Sequence, residues 1–130
     1  MKNYSDTDAL VLAAIYCGGT DESIKRTLDM LDHSVLNYDE LAHSVNILVA
    51  GGFVRIKDGE LYVTDEAMPY LKFPENTGHI AWRFMVSERL RGECYDENAV
   101  RELIMPFTKE EYETPCAALR RLKKALKMNR

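Results

Sequence analysis

The residues best equipped for chemistry in this chain are bases. Lys25 and Arg26 stand side by side, Arg55 and Lys57 alternate, and Arg120, Arg121, Lys123, Lys124, Lys127 and Arg130 crowd the last eleven positions. Clusters of this kind neutralise phosphates or carboxylates. Other reactive groups are scattered. His33, His43 and His79 with Cys17, Cys94 and Cys116 lack metal-ligand spacing, such as two cysteines separated by two residues. They read as surface histidines and core thiols. Gly18-Gly19-Thr20 and Gly51-Gly52 lack the glycine pattern and lysine of a phosphate loop. No nucleophile stands with a base, so neither an enzyme, a metal nor a cofactor is expected.

Around these bases the chain is acidic. It has 130 residues, 29% charged and 46% hydrophobic, with a formal net charge of −4. Because the last eleven residues hold six bases and no acid, the rest carries 11 bases against 21 acids. The result is an acidic body of net charge −10 with a basic tail. This composition suits a soluble globular chain and excludes collagen-like, low-complexity and disordered classes. The apolar run Ala9 to Cys17 is far shorter than the ~20 residues of a membrane span. Three unpaired cysteines with no leader fit a reduced, cytoplasmic protein.

Local signals lay out the elements. Ser5 with Asp8 makes a capping box, and the all-round apolar run behind it predicts a short helix buried on every side. Gly18-Gly19 ends it, and Thr20 with Asp21 and Glu22 opens a second helix whose core face is Ile24, Leu28 and Leu31. A third begins at Asn37 with Glu40 in the capping-box position, buries Leu41, Val45, Leu48 and Val49, and stops at Gly51-Gly52. Phe53 to Lys57 and Glu60 to Thr64 alternate apolar and polar about Asp58-Gly59, a dipeptide suited to a tight hairpin turn.

Thr64 opens a short helix that Pro69 shortens or bends, and 72–78 forms a boundary. Beyond it a helix through Ile80 and Phe84 closes at Gly92, and Asp96 caps another that Pro106 ends. Trp82 reads as core or interface. Thr108 and Glu111 offer a capping box, but Pro115 favours a last helix starting at Thr114-Pro115 and running towards Met128.

Three helices followed directly by a hairpin is the order of a winged-helix domain. The stretch LAHSVNILVAGGFVRIKDGELYVTDEA, Leu41 to Ala67, resembles the recognition helix, wing and closing strand of winged helix-turn-helix regulators of the MarR and PadR types. The matching features are leucines feeding a glycine, then Phe53-Val54, Asp58-Gly59 at the wing tip, and Val63-Thr64-Asp65 before a helix. The likeness covers about the first 70 residues. It implies an α+β fold: a three-helix winged-helix domain with a two-stranded wing in residues 1–72, and a helical C-terminal extension in 73–130.

It also implies a DNA-binding regulator that holds double-stranded DNA through Lys25, Arg26, Arg55 and Lys57 and probes bases with His43 and Asn46. The third helix departs from that pattern. At 100° per residue its face opposite Leu41 shows Asp39, His43, Asn46, Ile47 and Ala50, and no Lys or Arg occurs from Asn37 to Phe53. The alternative is a winged-helix module that binds no DNA and meets a protein partner through this acidic face and an exposed Ile47. The tail bases either grip nucleic acid or an acidic partner, or form the solvated face of a helix. The stripe Leu119, Leu122, Ala125 and Leu126 on that helix leads to the expectation of a homodimer joined through the C-terminal helices.

Overall fold

The computed structural model describes residues 1–33 and 36–113. Its first strand is β1 (Lys2–Asn3), and α1 (Asp6–Cys17) follows at once. The Ser5 hydroxyl accepts the Asp8 N–H, and the Asp8 carboxylate accepts the Ser5 N–H, so the capping box is complete. From Ala9 to Ile15 every residue of α1 is buried. A helix with no wet face needs neighbours all round it. These are α2 (Asp21–Asp32), α3 (Tyr38–Ala50), a strand of the hairpin, and α5 (His79–Arg91).

Caps again set the helix starts. Thr20 Oγ1 accepts the Ser23 N–H at the head of α2, and Asn37 and Glu40 exchange bonds at the head of α3. The hairpin is β2 (Val54–Lys57) paired antiparallel with β3 (Glu60–Val63), Val54 opposite Val63 and Lys57 opposite Glu60. Asp58 and Gly59 both take positive φ, 51° and 76°, as its two-residue turn requires. Leu61 N–H also donates to the Gly19 carbonyl at 3.1 Å. The contact is so close that a Cβ on Gly19 would sit 1.8 Å from the Leu61 oxygen. Gly19 therefore does more than stop a helix: it lets the α1–α2 link lie against β3.

After a single 3₁₀ turn at Asp65–Ala67 comes α4 (Met68–Leu71), with Pro69 in its first turn, where a missing N–H is harmless. Thr64 makes no side-chain cap there; its hydroxyl donates to the Gly52 carbonyl instead. The helix predicted to close at Gly92 is α5, but its buried face is Trp82, Val86 and Leu90, while Ile80 and Phe84 are more than half exposed. Trp82 is core, its indole N–H bonded to the Leu71 carbonyl at 2.9 Å.

The second half differs from expectation past Gly92. β4 (Cys94–Tyr95) pairs antiparallel with β1, Lys2 opposite Tyr95. Asp96 caps only a 3₁₀ turn, Glu97–Ala99, through the Asn98 N–H, and no helix runs to Pro106. The Thr108–Glu111 capping box, passed over for Thr114-Pro115, forms in full and starts α6 (Lys109–Glu113). The helix expected from Pro115 towards Met128, its leucine stripe and the basic tail lie outside the described residues. The fold is α+β, six helices with two small two-stranded sheets among the described residues. No helix among them is long and apolar enough to cross a membrane.

One buried base was not legible in the chain. Arg83 on α5 is 3% exposed and clamps the Asp6 carboxylate at 2.7 and 3.3 Å, with Asp32 of α2 at 3.4 Å. Partial burial alone would raise the Asp6 carboxyl, but the Ser87 hydroxyl and the Arg83 guanidinium outweigh it and hold the group below its ordinary value. A depressed carboxylate stabilises the fold above its unfolded pKa, and that contribution is lost as pH falls through the folded value. Asp6→Ala should lower the unfolding free energy at neutral pH by about 1 kcal/mol, since the Asp6 side chain is 55% exposed and its ion pair is partly screened by solvent. It should also flatten the fall in stability below about pH 4 in urea titrations. An unchanged acid slope would rule this role out.

Candidate nucleic-acid interface

The six bases and base readers expected from the sequence divide into two groups. Arg26, Arg55 and Lys57 are exposed. The last two extend from the outer face of the hairpin, because alternation turns Val54 and Ile56 inward. Tyr62 lies opposite Arg55 on that face and Glu60 opposite Lys57, so one carboxylate offsets part of the charge. His43 is exposed on α3. Lys25 and Asn46 are engaged by the chain itself, Lys25 over the Tyr112 ring at 5.4 Å and Asn46 through its Oδ1, which accepts the Leu103 N–H at 3.2 Å.

The surroundings of α3 explain this division. Its stripe Leu41, Val45 and Leu48 is fully buried. On one flank Ser44 donates to the buried Asp8 carboxylate at 2.8 Å, and Ile47 is only 4% exposed. The expectation of an exposed Ile47 is corrected here. The N-terminal ribbon of β1 and β4, invisible in the local pattern, supplies Tyr95 beside Ile47, and Tyr4 crosses the end of the helix so closely that a Cβ on Gly51 would lie 1.8 Å from the Tyr4 oxygen. Tyr4 in turn packs on Phe53 and Tyr95, with ring centroids 5.5 and 5.1 Å apart. Burial pushes its hydroxyl up to about 12.

On the other flank lies an arm, Leu103–Glu113. Tyr112 is its anchor, 1% exposed, stacked on Phe107 at 5.9 Å and donating its hydroxyl to the Leu36 carbonyl at 2.8 Å. Burial raises the Tyr112 hydroxyl to about 12, so it keeps the proton it donates. The Tyr38 N–H donates to Glu113 at 3.2 Å, and Lys109 faces Asp39 at 3.7 Å across exposed surface. With both flanks occupied, the exposed residues left on α3 are Asp39, Glu40 and His43. These border an open cleft of about 470 Å³ between α3 and the N-terminal ribbon.

This geometry limits what α3 can do with a duplex. A helix about 10–12 Å across enters a major groove about 12 Å wide only if its flanks are clear. Here they are not, and the open strip has two acids and no cation to meet phosphate. The reading of thiols is also corrected: Cys17 and Cys94 are exposed rather than in the core, because one ends α1 and the other lies on a two-residue edge strand. Cys116 lies outside the described residues. Among those residues no group of three or more His, Cys, Asp or Glu could hold a metal ion.

The two α3 residues at the centre of the alternatives separate by stability alone. Ile47→Ala should cost about 2–4 kcal/mol in chemical unfolding, as for any buried aliphatic truncation. His43→Ala should stay within about 0.5 kcal/mol of the native chain. Equal and small effects would mean that Ile47 is not packed as described. In comparisons with family models, curated proteins and solved structures, nothing matches the chain.

Proposed function

We propose that the chain is a winged-helix, non-enzymatic DNA-binding regulator that holds duplex DNA by its phosphates, with the hairpin as its wing. The observation that carries this reading is the hairpin. It follows α3 directly, sends Arg55 and Lys57 outward, and is tied to the α1–α2 link by the Leu61–Gly19 backbone bond. Arg26 on α2 adds a third exposed base. Three such contacts neutralise about three phosphates, which gives modest, strongly salt-dependent affinity with little base readout. Asn46 bonded within the chain and Lys25 drawn onto Tyr112 are not counted among these contacts.

A second reading is a protein-interaction module of the same fold. The open strip of α3 favours it, since Asp39 and Glu40 suit a basic partner and repel DNA. In either case a homodimer joined through the leucine stripe of residues 115–128 is part of the proposal, and light scattering that gives a monomer at tens of micromolar would remove it.

Fluorescence anisotropy with a mixed-sequence duplex over a salt series distinguishes the two readings. The regulator should bind at low salt with a log–log slope of roughly −3, falling to about −1 in Arg55→Ala with Lys57→Ala. Absence of binding at ~20 mM salt, where non-specific contacts of this kind are strong, would falsify the DNA reading and leave the interaction module. Binding that survives loss of the wing bases but disappears without Arg120 to Arg130 would transfer the role to the tail.

A further inference from the structure

The arm Leu103–Glu113 does not pack at random. It takes up two of the four expected DNA contacts that lie outside the hairpin, Lys25 of α2 and Asn46 of α3, and leaves Arg26 and His43 exposed. It also puts Lys109 against Asp39, so the acid at the head of α3 meets a base of the chain instead of a ligand. Its attachment is uneven. Met105, Phe107 and Tyr112 are buried, whereas Ile104 just before them is 94% exposed and the chain from Val100 to Thr108 has no regular secondary structure. Segments held by a few apolar anchors, with little backbone hydrogen bonding, are the parts of a fold that open locally.

We infer that this arm is an autoinhibitory strap: anchored by Tyr112, it occludes one flank of α3 and holds Lys25 and Asn46 out of reach of DNA, and its release exposes them. The inference rests on the DNA-binding reading for its ligand, but the strap and the reading fail separately. Release would add one phosphate contact through Lys25 and one base-edge donor and acceptor through Asn46. A ligand that binds only the open form shifts the equilibrium by its preference for that form.

The test uses full-length chain and a mixed-sequence duplex. Tyr112→Ala should bind DNA at least three-fold more tightly than the native chain at low salt, with a slope steeper by about one. Lys25→Ala should abolish that added slope in the Tyr112→Ala background and change the native slope little. Tyr112→Phe, which removes only the bond to the Leu36 carbonyl, should act in the same direction with smaller size and covers the case in which the alanine variant does not fold. Equal affinity of native and variant chains, or a Lys25→Ala effect of the same size in both, would overturn the strap. An independent measure is the maleimide reactivity of Asn46→Cys in a chain with Cys17, Cys94 and Cys116 changed to Ser. It should rise several-fold on Tyr112→Phe, and unchanged labelling overturns the strap. Faster labelling with no DNA binding by any variant upholds the strap and overturns the DNA reading alone.

Discussion

A helix that is apolar around its whole circumference cannot lie on a surface, and the rest of this molecule follows from that constraint. α1 is buried from Ala9 to Ile15, so α2, α3, β3 and α5 must all reach it. Its polar first turn directs how they do so. Asp8 completes the Ser5 cap with one oxygen and accepts Ser44 of α3 with the other, while Asp6 takes Arg83 and Ser87 of α5. Two carboxylates at the head of one helix thus orient two others. Most buried polar groups find a partner, and Asp8, nearly inaccessible, uses both its oxygens, although Arg83 Nε is buried without one among the described residues.

The same arrangement decides the character of α3. Its apolar stripe is spent on α1, and what remains is enclosed by the N-terminal ribbon on one side and the arm on the other. Asn46 and Ile47 both belong to the face of α3 that its helical spacing turns away from Leu41. Here one accepts a backbone N–H from the arm and the other is core. Positive charge accordingly lies away from α3, on α2 and the hairpin, and the functional proposal follows the charge rather than the helix. The arm that we infer to be a strap belongs to the same enclosure, since it covers the flank of α3 opposite the N-terminal ribbon.

How much could be anticipated depended on how far apart the interacting residues are. Ser5 with Asp8, Asn37 with Glu40, and Asp58-Gly59 act over three residues or fewer, and each formed as expected. The β1–β4 ribbon joins Lys2 to Tyr95 through strands of two residues, too short to show alternation. No local pattern marks Arg83 as buried, and only the approach of Asp6 and Asp32 makes its burial tolerable. Pro106 misdirected the reading of the segment after Asp96, and Pro115 drew attention away from the Thr108–Glu111 capping box, which forms. The effect of a proline on a helix is local, but the packing of Tyr112 on α2 and α3, which draws the short α6 into place, is not.

The linear order of amino acids was enough to specify the α+β class, the first three helices with their caps, the hairpin and its turn, and the split between an acidic body and a basic tail. All of these rest on backbone conformation, periodicity or charge, which are properties of neighbouring residues. Whether a face of α3 is open, whether Ile47 is ligand surface or core, and whether Lys25 points to solvent or to Tyr112 were settled by chain segments distant in sequence, 36 residues away for Asp8 and Ser44. Burial is a property of the assembled molecule, so a helix cannot carry in its own sequence the identity of what will cover it.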